Sequence, residues 1–137
     1  MRILIVDDNF RTLNSLRVAL TSFGYQIRTV ASGSQALEII QSSMNEDDRV
    51  RLLLTDLKMP GMDGLELIRA AREIDPSLWV VLITAYGNNV IQKEILKLGQ
   101  SEYIEKPFKP DVLLEKIKRM EVGNHPLLRQ RQTRSAD

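Results

Sequence analysis

Leu52-Leu53-Leu54-Thr55-Asp56-Leu57-Lys58-Met59-Pro60-Gly61-Met62-Asp63-Gly64 is the stretch around which the chain is organised. It opens as a short apolar run bounded by turn residues, the pattern of a strand buried on both faces. The run stops at an acid, Asp56, and turn chemistry follows at Pro60-Gly61. A carboxylate where a buried parallel strand runs out stands at the mouth of a sheet, half in solvent. There it can serve as a nucleophile or a metal ligand. The simpler reading is a strand-ending Asp that caps the following turn, and this stretch alone does not choose between the two.

Outward from it, the same pattern repeats. Residues 2–6 form a β-branched and apolar run that also ends in acids, Asp7-Asp8. Asn9 offers an N-cap, and Phe10, Leu13, Leu16, Leu20 and Phe23 recur at helical spacing until Gly24. Residues 25–30 read as a strand, after which Ser32 or Ser34 can cap a helix carrying Ala36, Leu37, Ile39 and Ile40. Residues 42–48 are polar and acidic, a surface loop. Beyond the pivotal strand, Asp63-Gly64 opens a helix with Leu65, Ile68, Ala71 and Ile74, and Pro76 closes it. Residues 78–83 are the most apolar run, ending at Thr84-Ala85. A helix over 87–98 carries Val90, Ile91, Ile95 and Leu98. Residues 102–105 form a short strand that delivers Lys106-Pro107-Phe108. A last helix over 110–121 shows Leu113, Leu114, Ile117 and Met120 on one side, with Pro110 in its first turn. Gly123 and Pro126 are expected to end the ordered domain. Strand and helix thus alternate five times, which predicts an α/β fold: a doubly wound parallel sheet with helices on both faces and right-handed crossovers.

The bulk composition narrows the chemistry. A chain of 137 residues makes one domain with a sizeable core. It has no cysteine, so disulfides and thiolate metal sites are excluded and a reducing compartment fits. The lone histidine, His125, sits near the C-terminus beside Pro126, which disfavours histidine catalysis or a zinc site. The first residues turn acidic too soon for a signal peptide, and no apolar run has the length to cross a bilayer. A soluble cytoplasmic protein with no membrane partner is expected. Residues 1–122 carry 16 Lys and Arg against 17 Asp and Glu, whereas 123–137 carry Arg129, Arg131 and Arg134 against Asp137. Such a tail reads as a basic, solvated linker, and nothing suggests direct nucleic-acid binding.

In a doubly wound sheet, ligands bind beyond the carboxyl ends of the strands where strand order reverses. Asp7-Asp8 stand after the first strand, Asp56 after the third, Thr84 after the fourth and Lys106 after the fifth. Three carboxylates this close repel and raise one another's pKa unless a cation joins them. Oxygen ligands without His or Cys call for a hard ion, and few carboxylates with water favour Mg²⁺ over Ca²⁺. The carboxylates, a divalent cation and Lys106 are together neutral, so the site can accept an anion such as a phosphoryl group. Lys106 and the Thr84 hydroxyl would meet its oxygens, and Asp56 would attack to form an aspartyl phosphate. Each residue also has a plainer role. Asp7 or Asp8 could cap the first helix, Thr84 could bond to backbone, and Lys106 could be a solvated lysine held extended by Pro107.

Val6-Asp7-Asp8, the stretch 55–64, Ile83-Thr84-Ala85 and Lys106-Pro107-Phe108 resemble, in order and spacing, the receiver domains of bacterial two-component response regulators. The likeness covers residues 1–122, leaving 123–137 as tail or linker, and is greatest to receivers of the enhancer-binding, nitrogen-regulatory type. It implies a flavodoxin-like strand order 2-1-3-4-5. It further implies that Asp56 takes a phosphoryl group from a sensor histidine kinase or phosphotransfer protein. Asp7, Asp8, Asp56 and the backbone carbonyl of Lys58 would organise Mg²⁺, and Lys106 would pair with the phosphoryl oxygens. The Lys106–Pro107 bond is often cis in this family. Thr84 would be drawn toward the phosphoryl group and Tyr103 would rotate inward, although Tyr103 could equally be a half-buried packing residue. The output would be a population shift in the face of the fourth helix, fifth strand and fifth helix, controlling an effector domain or downstream protein. A homodimer is compatible with this. The protein would catalyse its own phosphorylation and dephosphorylation without turning over a separate small molecule.

The chain departs from the family pattern in places. Gln100 stands where a small residue is usual, and the loop at 42–51 is longer and more acidic. Lys58 and Tyr86 occupy positions that influence aspartyl-phosphate lifetime. A phosphoaspartyl phosphatase or mutase would need an acid where Lys58 stands, and no phosphate-binding glycine loop follows any strand. The competing reading is an interaction module with a receiver fold that works without phosphorylation.

Overall fold

The structure is a computed structural model and describes residues 1–124. β1 (Arg2–Val6) lies between β2 (Gln26–Val30) and β3 (Val50–Asp56), and β4 (Trp79–Thr84) and β5 (Ser101–Glu105) follow β3 outward. All neighbours are parallel, in the order β2-β1-β3-β4-β5. The helices are α1 (Phe10–Ser22), α2 (Gly33–Ser43), α3 (Gly64–Ile74), α4 (Asn89–Lys97) and α5 (Pro110–Asn124). This is the doubly wound parallel sheet that the alternation predicts, in the flavodoxin-like strand order that the family resemblance implies.

The strands sort their side chains by the period of two. Leu4, Val6, Leu53, Val80 and Leu82 join Ala36 and Ile40 of α2, Leu67, Ile68 and Ala71 of α3, and Ile95 of α4 in one core. Ile5, Leu54 and Ile83 share a small cavity with Thr12 and Leu16 of α1. Caps fix where helices begin. Asn9 accepts from the Thr12 N–H, Ser32 from Gln35 and Asn88 from Ile91, while Asp63 and Glu66 form a capping box at α3. Each such cap stabilises its helix by about 1 kcal/mol.

The structure corrects several local expectations. Phe10 and Val90, placed on the apolar stripes by their spacing, are 77% and 66% exposed, each in the first turn of its helix. α4 starts two residues later than predicted, since Asn88 rather than Gly87 supplies the cap. α5 continues through Gly123 to Asn124; one glycine costs a helix only about 1 kcal/mol.

The chain parts into two compact units, Met1–Pro107 and Phe108–Asp137. The first holds the sheet and α1 to α4. In the second, α5 buries Leu113, Ile117 and Met120. His125 and the tail arginines Arg129, Arg131 and Arg134 lie outside the described residues. No helix of the described residues is long and apolar enough to cross a membrane.

Candidate functional site

The carboxyl ends of β1, β3 and β5 bring Asp7, Asp56 and Lys106 together. Lys106 Nζ is 3.3 Å from Asp7 Oδ2 and 3.7 Å from Asp56 Oδ1. Asp7 is buried, Asp56 half-buried and Asp8 exposed. One carboxylate oxygen from each of the three acids falls within 4.8 Å of the others. The backbone also reaches in: Asn9 N–H donates to Asp7 Oδ1 and Leu57 N–H to Asp56 Oδ1, both at 2.9 Å. Asn9, not Asp7 or Asp8, caps α1.

Burial pushes the Asp56 carboxyl above its ordinary 3.8, and the charges of Asp7 and Asp8 push the same way. Lys106 and the Leu57 N–H pull it back without cancelling the effect. The burial has a visible source, since Ile5, Leu16, Leu54 and Ile83 line the small cavity that Asp7 and Asp56 share. Three acids with one lysine leave negative charge in excess. Their donors are all oxygen, which fits a hard divalent ion, so the cluster is a place that can hold a metal.

A stability consequence follows from the raised pKa. Asp56 holds its proton more tightly in the fold than in the unfolded chain, so its ionisation costs stability as pH rises through the folded pKa. Asp56→Asn is therefore expected to raise the melting temperature of the metal-free protein at pH 7. The gain should shrink toward zero once pH falls below the ordinary value of 3.8, where the acid is protonated in both states. Calorimetry from pH 3 to 8 checks this, and equal or lower stability of the variant at pH 7 would contradict it.

Thr84 is fully buried, and its Oγ1 accepts from the Tyr86 N–H at 2.9 Å. Its carbonyl accepts from Lys106 N–H at 3.0 Å, which ties the ends of β4 and β5. The Lys106–Pro107 peptide is cis. Tyr103 is 8% exposed, with its hydroxyl 3.4 Å from Glu105 Oε1. Burial raises its phenol pKa and the Glu105 carboxylate adds to the effect. Lys58 Nζ stands 4.6 Å over the Tyr86 ring, a cation–π contact joining the loops after β3 and β4. At this exposure it is worth about 0.5–1 kcal/mol. Gln100 adopts a left-handed φ of 47°, a conformation that L-residues other than Gly, Asn and Asp take at a cost of roughly 1–2 kcal/mol.

Sequence reasoning passed over Arg72, whose guanidinium donates to the carbonyls of Leu78, Leu98, Gly99 and Gln100. It also passed over Asn88, although an Asn pair ahead of an apolar stripe is a readable cap.

A sheet of this order with acids and a lysine converging on its carboxyl edge defines a receiver. The response regulator receiver domain family matches residues 3–118, and the chain belongs to it. Sporulation initiation phosphotransferase F of Bacillus subtilis (strain 168) is 36% identical over 86% of this chain and 91% of its own length. The C4-dicarboxylate transport transcriptional regulatory protein DctD of Pseudomonas aeruginosa is 32% identical over 86% of this chain, which spans only 24% of that protein. Among solved structures, a CheY-like response regulator receiver domain protein from Methanospirillum hungatei JF-1 superposes with a TM-score of 0.77. It is 35% identical, with 88% of this chain and 93% of that one covered.

Proposed function

We propose that this chain is a phosphorylation-dependent signalling switch whose phosphoacceptor is Asp56. The observation that carries the reading is the approach of Lys106 to both Asp7 and Asp56 at the end of the sheet. An Asp56 carboxylate oxygen attacks the phosphorus of a phosphohistidine on a sensor histidine kinase or phosphotransfer protein. The phosphorus–nitrogen bond breaks and its electron pair goes to the imidazole. Lys106 neutralises charge on the transferred oxygens, and the Thr84 hydroxyl, once released from the Tyr86 N–H, donates to one of them. Asp7, Asp8, Asp56 and the Lys58 carbonyl would hold Mg²⁺. When bound, this ion supplies the positive charge that offsets repulsion between the carboxylates and the phosphoryl group. Residues 1–122 form the receiver and 123–137 a basic tail or linker. The Thr84 movement and Tyr103 couple the site to α4 and β5, to which the family likeness adds the fifth helix. A sporulation phosphotransferase and a transcriptional regulatory protein among the relatives support a phosphotransfer role with a downstream effector, in a cytoplasmic setting, and a homodimer is one route to that output.

The test is intact mass after incubation with acetyl phosphate and Mg²⁺. One added phosphoryl group is expected, absent without the metal and absent in Asp56→Asn. No mass change, under conditions that label a known receiver, would favour the phosphorylation-independent module. Labelling that persists in Asp56→Asn would mean another residue is the acceptor.

A further inference from the structure

Gly87 follows the β4 strand end and precedes the Asn88 cap of α4. Its φ is not among the positive ones, which are Gly24, Gly61, Gly99 and Gln100, so the backbone there does not demand glycine. What it lacks is room. A Cβ built on Gly87 would fall on the hydroxyl of Tyr103, 2.5 Å from its Cζ and 3.0 Å from the methyl of Thr84. The nearest atom belongs to the tip of a side chain that can swing away, and the Tyr103 ring is buried.

We infer that Gly87 is a positioning residue for the switch: its missing side chain opens the slot in which the Tyr103 ring lodges inward. The inward ring then depends on glycine at 87. α4 is suited to this arrangement. Of its residues only Ile95 is fully buried, and Tyr86, Asn88 and Val90 at its entrance are exposed. The loop that carries Gly87 packs on the Tyr103 ring and the Thr84 methyl. The importance of Tyr103 for signalling rests on the proposed receiver function, but its resting position does not.

The test uses the unphosphorylated full chain with fluorotyrosine incorporated and a soluble paramagnet. Single Tyr→Phe variants assign the signals of Tyr25, Tyr86 and Tyr103. In the wild type Tyr103 should be protected, with Tyr86, 64% exposed, as the internal exposed standard. In Gly87→Ala the Tyr103 signal should broaden as much as that of Tyr86. Continued protection in a folded Gly87→Ala protein overturns the inference. Should Gly87→Ala fold poorly, Gly87→Ala is compared with wild type and again in a Tyr103→Leu background. The penalty should vanish when the ring is gone, and an undiminished penalty also overturns the inference. None of these outcomes depends on acetyl phosphate labelling, so failure of the phosphoacceptor assignment would register separately.

Discussion

Arg72→Ala is expected to lower the unfolding free energy by about 3 kcal/mol. Its Nε donates to Leu78 at 2.7 Å, and Nη2 donates to Gly99 at 2.6 Å and Gln100 at 2.8 Å. Nη1 reaches Leu98 at 3.2 Å. Hydrogen bonds from a charged donor are worth roughly 1.5–3 kcal/mol each, but four on one group are not additive and the group is partly solvated. A sum near the value of one or two such bonds is the sensible expectation. The acceptors include the carbonyl of Leu98, the C-cap of α4, and those of Gly99 and the left-handed Gln100 in the turn into β5. With Ser101 Oγ donating to Ile95 O at 2.6 Å, the fork pins the C-terminal end of α4.

Urea unfolding measures the loss, and amide exchange should locate it, with protection falling across residues 95–101. Arg72→Lys should recover little, because one ammonium cannot span acceptors that a planar fork reaches together. Added salt should have only a modest effect, since the hydrogen-bond partners are carbonyls and, among the described residues, Asp75 is the one charge that acts on the guanidinium. The neighbouring Arg69–Glu94 pair at 3.2 Å gives the contrast. Both side chains are exposed, so Arg69→Ala should cost less than about 1 kcal/mol. An Arg72→Ala protein as stable as Arg69→Ala would refute the account.

Arg72 also shows where the sequence stops being legible. The strands could be read because each apolar run is short, bounded and followed by a cap or an acid. The approach of Asp7, Asp56 and Lys106 could be read because parallel strands deliver their last residues to one edge. Arg72 left no such trace, for its partners are backbone carbonyls, which every residue has. Periodicity set Phe10 and Val90 on a stripe but could not say which members of the stripe the sheet covers. The depths of Asp7 and Asp8 differ for the same reason: adjacency in the chain does not tell which of two acids turns inward. The sequence set Gly87 at the start of a helix, and only the position of a tyrosine sixteen residues later gives its absence of a side chain a purpose.

Gly64 is the sharper case, and Gly64→Ala is expected to slow acetyl phosphate labelling of Asp56 by about 10²-fold, the cost of roughly a 1 Å misplacement of a reacting group. A Cβ on Gly64 would fall on the carbonyl oxygen of Asp56, and would lie 2.9 Å from its carbonyl carbon and 3.0 Å from Leu57 Cα. Those atoms are backbone and cannot swing aside as the Tyr103 ring can. The Gly64 N–H also donates to Leu57 O at 2.8 Å, so the start of α3 is clamped to the end of β3. Relief requires the two to separate, and separation moves the Leu57 N–H that orients Asp56 Oδ1. Overpacking of this kind also costs about 1–3 kcal/mol of stability, so labelling and urea unfolding are measured together. Gly33→Ala is the control: its Cβ would meet only side-chain atoms of Met62, the sulfur at 2.9 Å and Cβ and Cγ at 3.2 Å, and no backbone of the β3 end, so labelling should stay within a few-fold of wild type. Wild-type labelling by a folded Gly64→Ala protein would show that the α3 contact does not position the phosphoacceptor. Equal slowing in Gly64→Ala and Gly33→Ala would trace the effect to general loosening of the fold instead.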